Sequence, residues 1–124
     1  MTKADNNILS QYEILKKILK DVKKEDFKVE VYGDNAKDNL KLQKKHYLII
    51  VIEKTIELSK SKGWQLCVNP GKIFIYNGKY WEDVEKDTFQ AFLGEVAQLM
   101  GVDKFDAKHW RFREDLHKQF FANA

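Results

Sequence analysis

Apolar residues Ile8, Tyr12, Leu15, Leu19 and Val22 recur at spacings of three and four, with lysines on the opposite side. That pattern predicts an amphipathic helix over about Asn7 to Lys24. Phe27-Lys28-Val29-Glu30-Val31 then alternates apolar and charged residues, the pattern of a short strand buried on one side. Gly33 to Asn39 carries turn chemistry in Gly-Asp-Asn and Lys-Asp-Asn and is the one soft boundary in the chain. A second long helix is expected from about Asp38 or Leu40 to Lys62, with Gly63 at the C′ position and Lys60 and Lys62 in the last turn. Tyr47 to Ile52 would also suit a central strand by propensity. The helical phase of Leu48, Ile52, Thr55 and Leu58 or Ser59 decides for helix, and a helix this apolar belongs at the centre of the fold.

Turn residues organise the middle of the chain. Asn69-Pro70-Gly71-Lys72 places proline second and glycine third, as a type II turn requires. Asn77-Gly78, between Ile73 to Tyr76 and Lys79 to Glu82, is a hairpin signal of the type I′ kind. Trp64 to Val68, Ile73 to Tyr76 and Lys79 to Glu82 are therefore expected to form a three-stranded antiparallel meander. With a two-residue turn at Asn77-Gly78, Phe74 would face Trp81 and Ile75 would face Tyr80. Both faces would then carry apolar groups, one against the helices and the other awaiting a second cover.

Two helices are expected to close the chain. Phe89, Phe92, Leu93, Val96, Leu99 and Met100 make one stripe ending at Gly101, and Gly94 inside it points to close packing. Asp106 is the expected N-cap of the last helix, whose apolar side would be Trp110, Leu116, Phe120 and Phe121. The fold class is thus α+β, mostly helical with about four helices and a small three-stranded antiparallel meander. A winged-helix-like arrangement is among the topologies this order admits.

Composition sets bounds on that picture. At 124 residues, 44% hydrophobic and 13% aromatic, the chain has the size and apolar content of one domain with a core of its own. A single cysteine, Cys67, forbids an internal disulfide and suits a reducing compartment. Met1 to Asn7 has no apolar signal core, and the longest apolar run, Tyr47 to Ile52, is far short of the roughly 20 residues that span a bilayer. A cytoplasmic location without membrane contact is the expectation. The formal charge is only +3, but Lys37 to Lys62 holds seven lysines against three acids. A local basic segment of this kind attracts phosphate. The plainer alternative is that Lys37, Lys41, Lys44 and Lys45 simply solvate the start of a helix.

Catalytic patterns are missing. Gly71-Lys72 and Gly78-Lys79 lack both the upstream glycine and the following Ser or Thr of a phosphate-binding loop. His109 and His117 are eight apart, without the close ligand pairs that zinc sites use, and neither His46 nor Cys67 completes a set. Asp103, Asp106, Glu114 and Asp115 read as caps and surface partners, and Glu82, Asp83, Glu85 and Asp87 as acids ahead of a helix start. Cys67 in mid-strand reads as a small packed residue rather than a nucleophile. No catalytic residue, metal or cofactor is expected.

The run Lys72-Ile73-Phe74-Ile75-Tyr76-Asn77-Gly78-Lys79-Tyr80-Trp81-Glu82, followed by an acidic helix start and the stripe Phe89 to Met100, resembles a known domain. It is similar to the domain immediately preceding the superfamily 3 helicase module of phage- and plasmid-type primase-helicases, related to that of poxvirus NTPase-primases. Tyr76, Gly78 and Trp81 match that family's aromatic residue, glycine turn and tryptophan. The resemblance covers about residues 63–124; Met1 to Asn39 has no match, and this part is a candidate upstream linker. It implies a non-catalytic accessory domain in DNA replication that contacts DNA or couples primase and helicase modules in a larger, oligomeric parent. The ending Phe120-Phe121-Ala122-Asn123-Ala124 would then mark excision just ahead of the ATPase.

On this reading DNA, single-stranded or duplex, is the expected partner beside the neighbouring primase and helicase domains. Lys41, Lys44, Lys45, Lys60, Lys62 and Lys79 would meet phosphates, joined by Arg111 and Arg113, with Tyr80 or Trp81 for base stacking. Each has a plainer role: Trp81 in a packed pair with Phe74, the arginines in ion pairs with Glu114, Asp115 or Asp106. Two other functions fit the same elements. One is a protein-interaction or oligomerisation module using the second sheet face; the other is a small winged-helix-like reader of duplex sequence.

Overall fold

A computed structural model describes residues 10–33, 41–61, 63, 66–69, 71–76 and 79–123. Among these residues there are six helices and three strands: α1 Gln11–Lys20, α2 Phe27–Tyr32, α3 Lys44–Ser61, β1 Leu66–Asn69, β2 Lys72–Tyr76, β3 Trp81–Val84, α4 Lys86–Met100, α5 Lys104–Lys108 and α6 Trp110–Asn123. The architecture is α+β and mostly helical, with a three-stranded antiparallel sheet in the order β1-β2-β3. No helix among the described residues is long and apolar enough to cross a membrane.

The first helix is set by a reciprocal cap. The Glu13 amide donates to Ser10 Oγ and the Ser10 amide donates to Glu13 Oε1, both at 3.2 Å. This satisfies two of the amides that a helix start leaves without partners. Ile14, Leu15 and Ile18 are buried, while Tyr12 is 52% exposed, so the inward face is rotated from the one expected through Tyr12. The helix stops at Lys20 rather than Lys24. The expected start at Asn7 and Ile8 lies outside the described residues.

Phe27 to Val31 is helix, not strand. Asp26 caps it by accepting from the Val29 amide at 3.2 Å. Phe27 and Val31 are four apart and share a face under either periodicity; only Val29 separates the two, and it is exposed. The short helix then lies on α3, where Glu30 meets Lys54 at 3.1 Å.

The second long helix begins at Lys44, later than the Asp38 or Leu40 expected. His46 Nδ1 accepts from the Gln43 amide at 3.0 Å and holds that start. Residues 34–40, which contain most of the expected turn, lie outside the described set, as do Lys62, Trp64, Pro70, Asn77 and Gly78. Ile50, Val51, Ile52, Thr55 and Ser59 of α3 are buried, so the apolar run does sit in the core. Thr55 settles its hydroxyl there by donating to the Val51 carbonyl at 2.6 Å.

In the sheet, Asn69 pairs with Lys72, and Gly71 has φ 78°, the value a type II turn demands at its third position. The second hairpin has a different register from the expected one. Tyr76 pairs with Trp81, Ile75 with Glu82 and Phe74 with Asp83, so the connection spans residues 77–80. Phe74 therefore does not face Trp81, and Tyr80 lies outside the strand. The slip is two residues, which preserves the side to which each residue points. Ile73, Ile75 and Val84 are buried on the inner face. Phe74, Tyr76 and Trp81 occupy the outer one, with the Tyr76 and Trp81 rings 5.3 Å apart.

Helix α4 packs against α1, α3, α5 and α6. Phe89, Leu93, Val96 and Ala97 are fully buried along it, but Leu99 is 48% exposed. The Phe89 ring stands 4.8 Å from Phe120 of α6 and 5.6 Å from Phe92. After Gly101, whose φ of 118° ends α4 in a left-handed turn, Asp103 rather than Asp106 supplies a cap. Its carboxylate accepts from the Phe105 and Asp106 amides at 3.0 and 3.3 Å, and starts the short helix α5. Ala107, Phe112, Leu116 and Phe120 carry the buried side of the last two helices, leaving Trp110 outside.

Candidate nucleic-acid interface

The basic residues chosen from the sequence do not form one patch. Lys44 and Lys45 open α3 and Lys60 closes it, which separates them by roughly 24 Å along the helix axis. Lys41 is exposed just ahead of α3, and its carbonyl accepts from the Tyr32 hydroxyl at 2.7 Å. Lys62 lies outside the described residues. Lys79 and Tyr80 are exposed on the β2–β3 connection, beside Trp81.

One subset does converge. A groove of about 410 Å³ lies where the start of α3 meets α5 and the start of α6, lined by Leu42, Lys44, Tyr47, His109, Arg111 and Phe112 among others. It brings Lys44 and Arg111, distant in sequence, onto one continuous surface. Asp103 and Asp106 also line it, so its charge is mixed. The Asp103 carboxylate is occupied by the α5 cap, and Lys44 forms an ion pair with Asp115 of α6. Both partners of that pair keep contact with solvent, which makes the bridge weak and exchangeable.

The two arginines part company. Arg113 is half-buried, and its Nε donates to the Ala107 carbonyl at 3.0 Å across Gly94, which ties the side chain into the α4–α5–α6 packing. Among the described residues it forms no ion pair with Glu114, Asp115 or Asp106. Arg111 is exposed and places its guanidinium 5.0 Å from the centre of the Trp110 ring. Trp110, expected in the core, is 60% exposed, and the His109 imidazole stacks on it at 5.9 Å and 26°. Lys104 repeats the motif over Phe105, at 5.5 Å, with Phe105 76% exposed. Sequence reasoning missed these aromatics. The signal for them was the spacing of Ala107, Phe112, Leu116 and Phe120, which puts Trp110 off the buried face.

Trp81 is the weaker stacking candidate. Its ring leans on Tyr76, and it borders a shallow dish of about 410 Å³ with Cys67, Val68, Asn69 and Phe74. Cys67 is half-buried there. Among the described residues no three His, Cys, Asp or Glu side chains gather as a metal site would need.

His117 is packed edge-on against Phe121 and Phe89, at 5.0 and 6.2 Å. Burial pushes its pKa below the ordinary value and Lys86 adds to that, while Glu114 opposes it. Lys54, bonded to Glu30, is shifted upward by that hydrogen bond. Neither group adjoins the groove. No family model matches the chain, and no curated protein or solved structure matches it either.

Proposed function

We propose that this chain is a non-catalytic accessory domain of a phage- or plasmid-type DNA primase-helicase and that it contacts DNA through backbone phosphates. The observation that carries this reading is the groove lined by both Lys44 and Arg111, with Lys41 and Lys45 exposed close to Lys44 in the chain. Cations from two distant segments on one surface suit a polyanion that crosses both. The family resemblance of residues 63–124 supplies the replication context, the cytoplasmic setting and the neighbouring primase and helicase domains as partners. Chemistry on the nucleotide belongs, on this reading, to those neighbours.

The test is fluorescence anisotropy with labelled single-stranded and duplex oligonucleotides at several salt concentrations. Binding is expected to weaken with salt. Replacing Lys41, Lys44, Lys45 and Arg111 together by alanine is expected to flatten the salt slope, by about 0.7 for each single-strand phosphate that is no longer neutralised. An unchanged slope in that variant removes the groove from the argument, and absence of binding at low salt removes the reading. Strong preference for one duplex sequence would point instead to a sequence reader.

A second reading has its own observation. The outer sheet face presents Phe74, Tyr76 and Trp81, the first and last of them bordering an apolar dish, which suits a protein-interaction or oligomerisation module. Sedimentation equilibrium decides it: concentration-dependent self-association supports that role, and a monomer at all concentrations opposes self-assembly through this face.

A further inference from the structure

We infer that Trp110 is a platform on which an unpaired base stacks, so that the groove beside it takes single-stranded nucleic acid in preference to duplex. This inference rests on the phosphate-contact reading and adds to it the part of the nucleotide that the lysines do not address.

Three features of the α5–α6 junction point this way. First, the fold makes little use of the indole. Phe112, Leu116 and Phe120 seal α6 onto the core, while Trp110 stands outside, more exposed than either Trp81 or Tyr80. Second, the indole already has a flat neighbour. His109 is anchored because its Nδ1 accepts from the Arg111 amide at 3.3 Å, and its imidazole lies nearly parallel to the indole. A rigid aromatic surface binds a flat partner with little ordering cost. Third, cations stand close to the ring. Arg111 rests against it and lines the groove with Lys44, and of the two carboxylates there, that of Asp103 is already engaged by backbone amides.

Arg111 joins the two halves of the site. Its guanidinium rests against the indole, and at an exposed position such a cation–π contact is weaker than base stacking. An incoming base takes the place of the guanidinium, which swings to the phosphate of the same nucleotide, near Lys44 across the groove. A duplex offers no base face along its length, because every face is already stacked on a neighbour. Single strands do offer one, whatever their sequence. That is the chemical reason for the expected strand preference.

The experiment compares oligodeoxythymidylate, an abasic oligonucleotide of equal length and charge, and a duplex, using the whole chain and anisotropy at low salt. Wild type is expected to bind the thymidylate about tenfold more tightly than the abasic strand, the scale of one stacked base. W110A should bind both strands equally, and W110F, which keeps an aromatic face, should stay within about threefold of wild type. Circular dichroism melting checks that both variants fold. If W110A binds thymidylate as wild type does while the four-cation variant is weakened, stacking is wrong and phosphate contact stands. A folded W110F as weak as W110A, or wild type binding duplex as tightly as single strand, also overturns it. No binding of any strand fails the underlying reading, and this inference with it.

Discussion

Arg113 lies across Gly94. A β-carbon on that glycine would stand 2.3 Å from Arg113 Nε and 2.8 Å from the Ala107 carbonyl oxygen that Nε bonds. Glycine in mid-helix is thus the condition for α5 and α6 to close on α4. G94A should gain about 1 kcal/mol in helix propensity and lose more, about 1–3 kcal/mol, to overpacking. An arginine tip can move aside, but the Ala107 carbonyl is backbone and cannot do so cheaply. Net destabilisation is expected in urea titration; a stabilised G94A would show that the junction yields.

Lys44 is paired with Asp115, so on the proposed reading a phosphate has to displace that carboxylate. Converting it to asparagine keeps its shape and releases the lysine. D115N should raise affinity for a single-stranded oligonucleotide about two- to fivefold at low salt, with a stability change below about 1 kcal/mol. Anisotropy and thermal melting read the two effects separately. Unchanged affinity would mean that Lys44 does not meet the nucleic acid.

Trp81 and Trp110 should behave oppositely. The Tyr76–Trp81 contact joins neighbouring strands, so W81A should cost about 0.5–1.5 kcal/mol of stability and leave oligonucleotide affinity as it was. A loss of affinity in W81A would place the stacking surface on the sheet.

His117 makes stability depend on pH. Its folded-state pKa lies below the ordinary 6.5, because burial among Phe89 and Phe121 and the nearby Lys86 disfavour the cation, despite Glu114. The unfolded chain therefore takes up a proton at higher pH than the folded one. Stability from this group is complete above about 6.5 and falls as pH drops from there through the folded value. Melting temperatures of wild type should decline over that range more steeply than those of H117F. Parallel declines would assign the pH dependence to other groups.

Much of the fold was legible locally, and the misreadings share a cause. Both periods put Phe27 and Val31 on one side, so at Phe27 to Val31 only Val29 spoke for strand over helix; packing on α3 and the Asp26 cap chose helix. Asn77-Gly78 announced a hairpin but not its length, and Tyr76 paired with Trp81 instead of Lys79. Tyr12, Leu99 and Trp110 each matched a helical stripe yet stand at its edge, where a few tens of degrees of rotation separate core from solvent.

Residue type and spacing by themselves determined the helical stripes of Phe89 to Met100 and Leu116 to Phe120, the glycine stops at Gly63 and Gly101, and an antiparallel meander through Lys72 to Tyr76. These follow from short-range rules, backbone geometry and side-chain periodicity, which act within a few residues. Only the tertiary structure decided which cations meet. The two ends of α3 keep Lys44 and Lys60 apart, the α3–α6 contact brings Lys44 beside Arg111, and Gly94 draws Arg113 away into the packing. Distances between segments depend on how helices rotate and cross, and that is set by the whole core at once rather than by any local pattern.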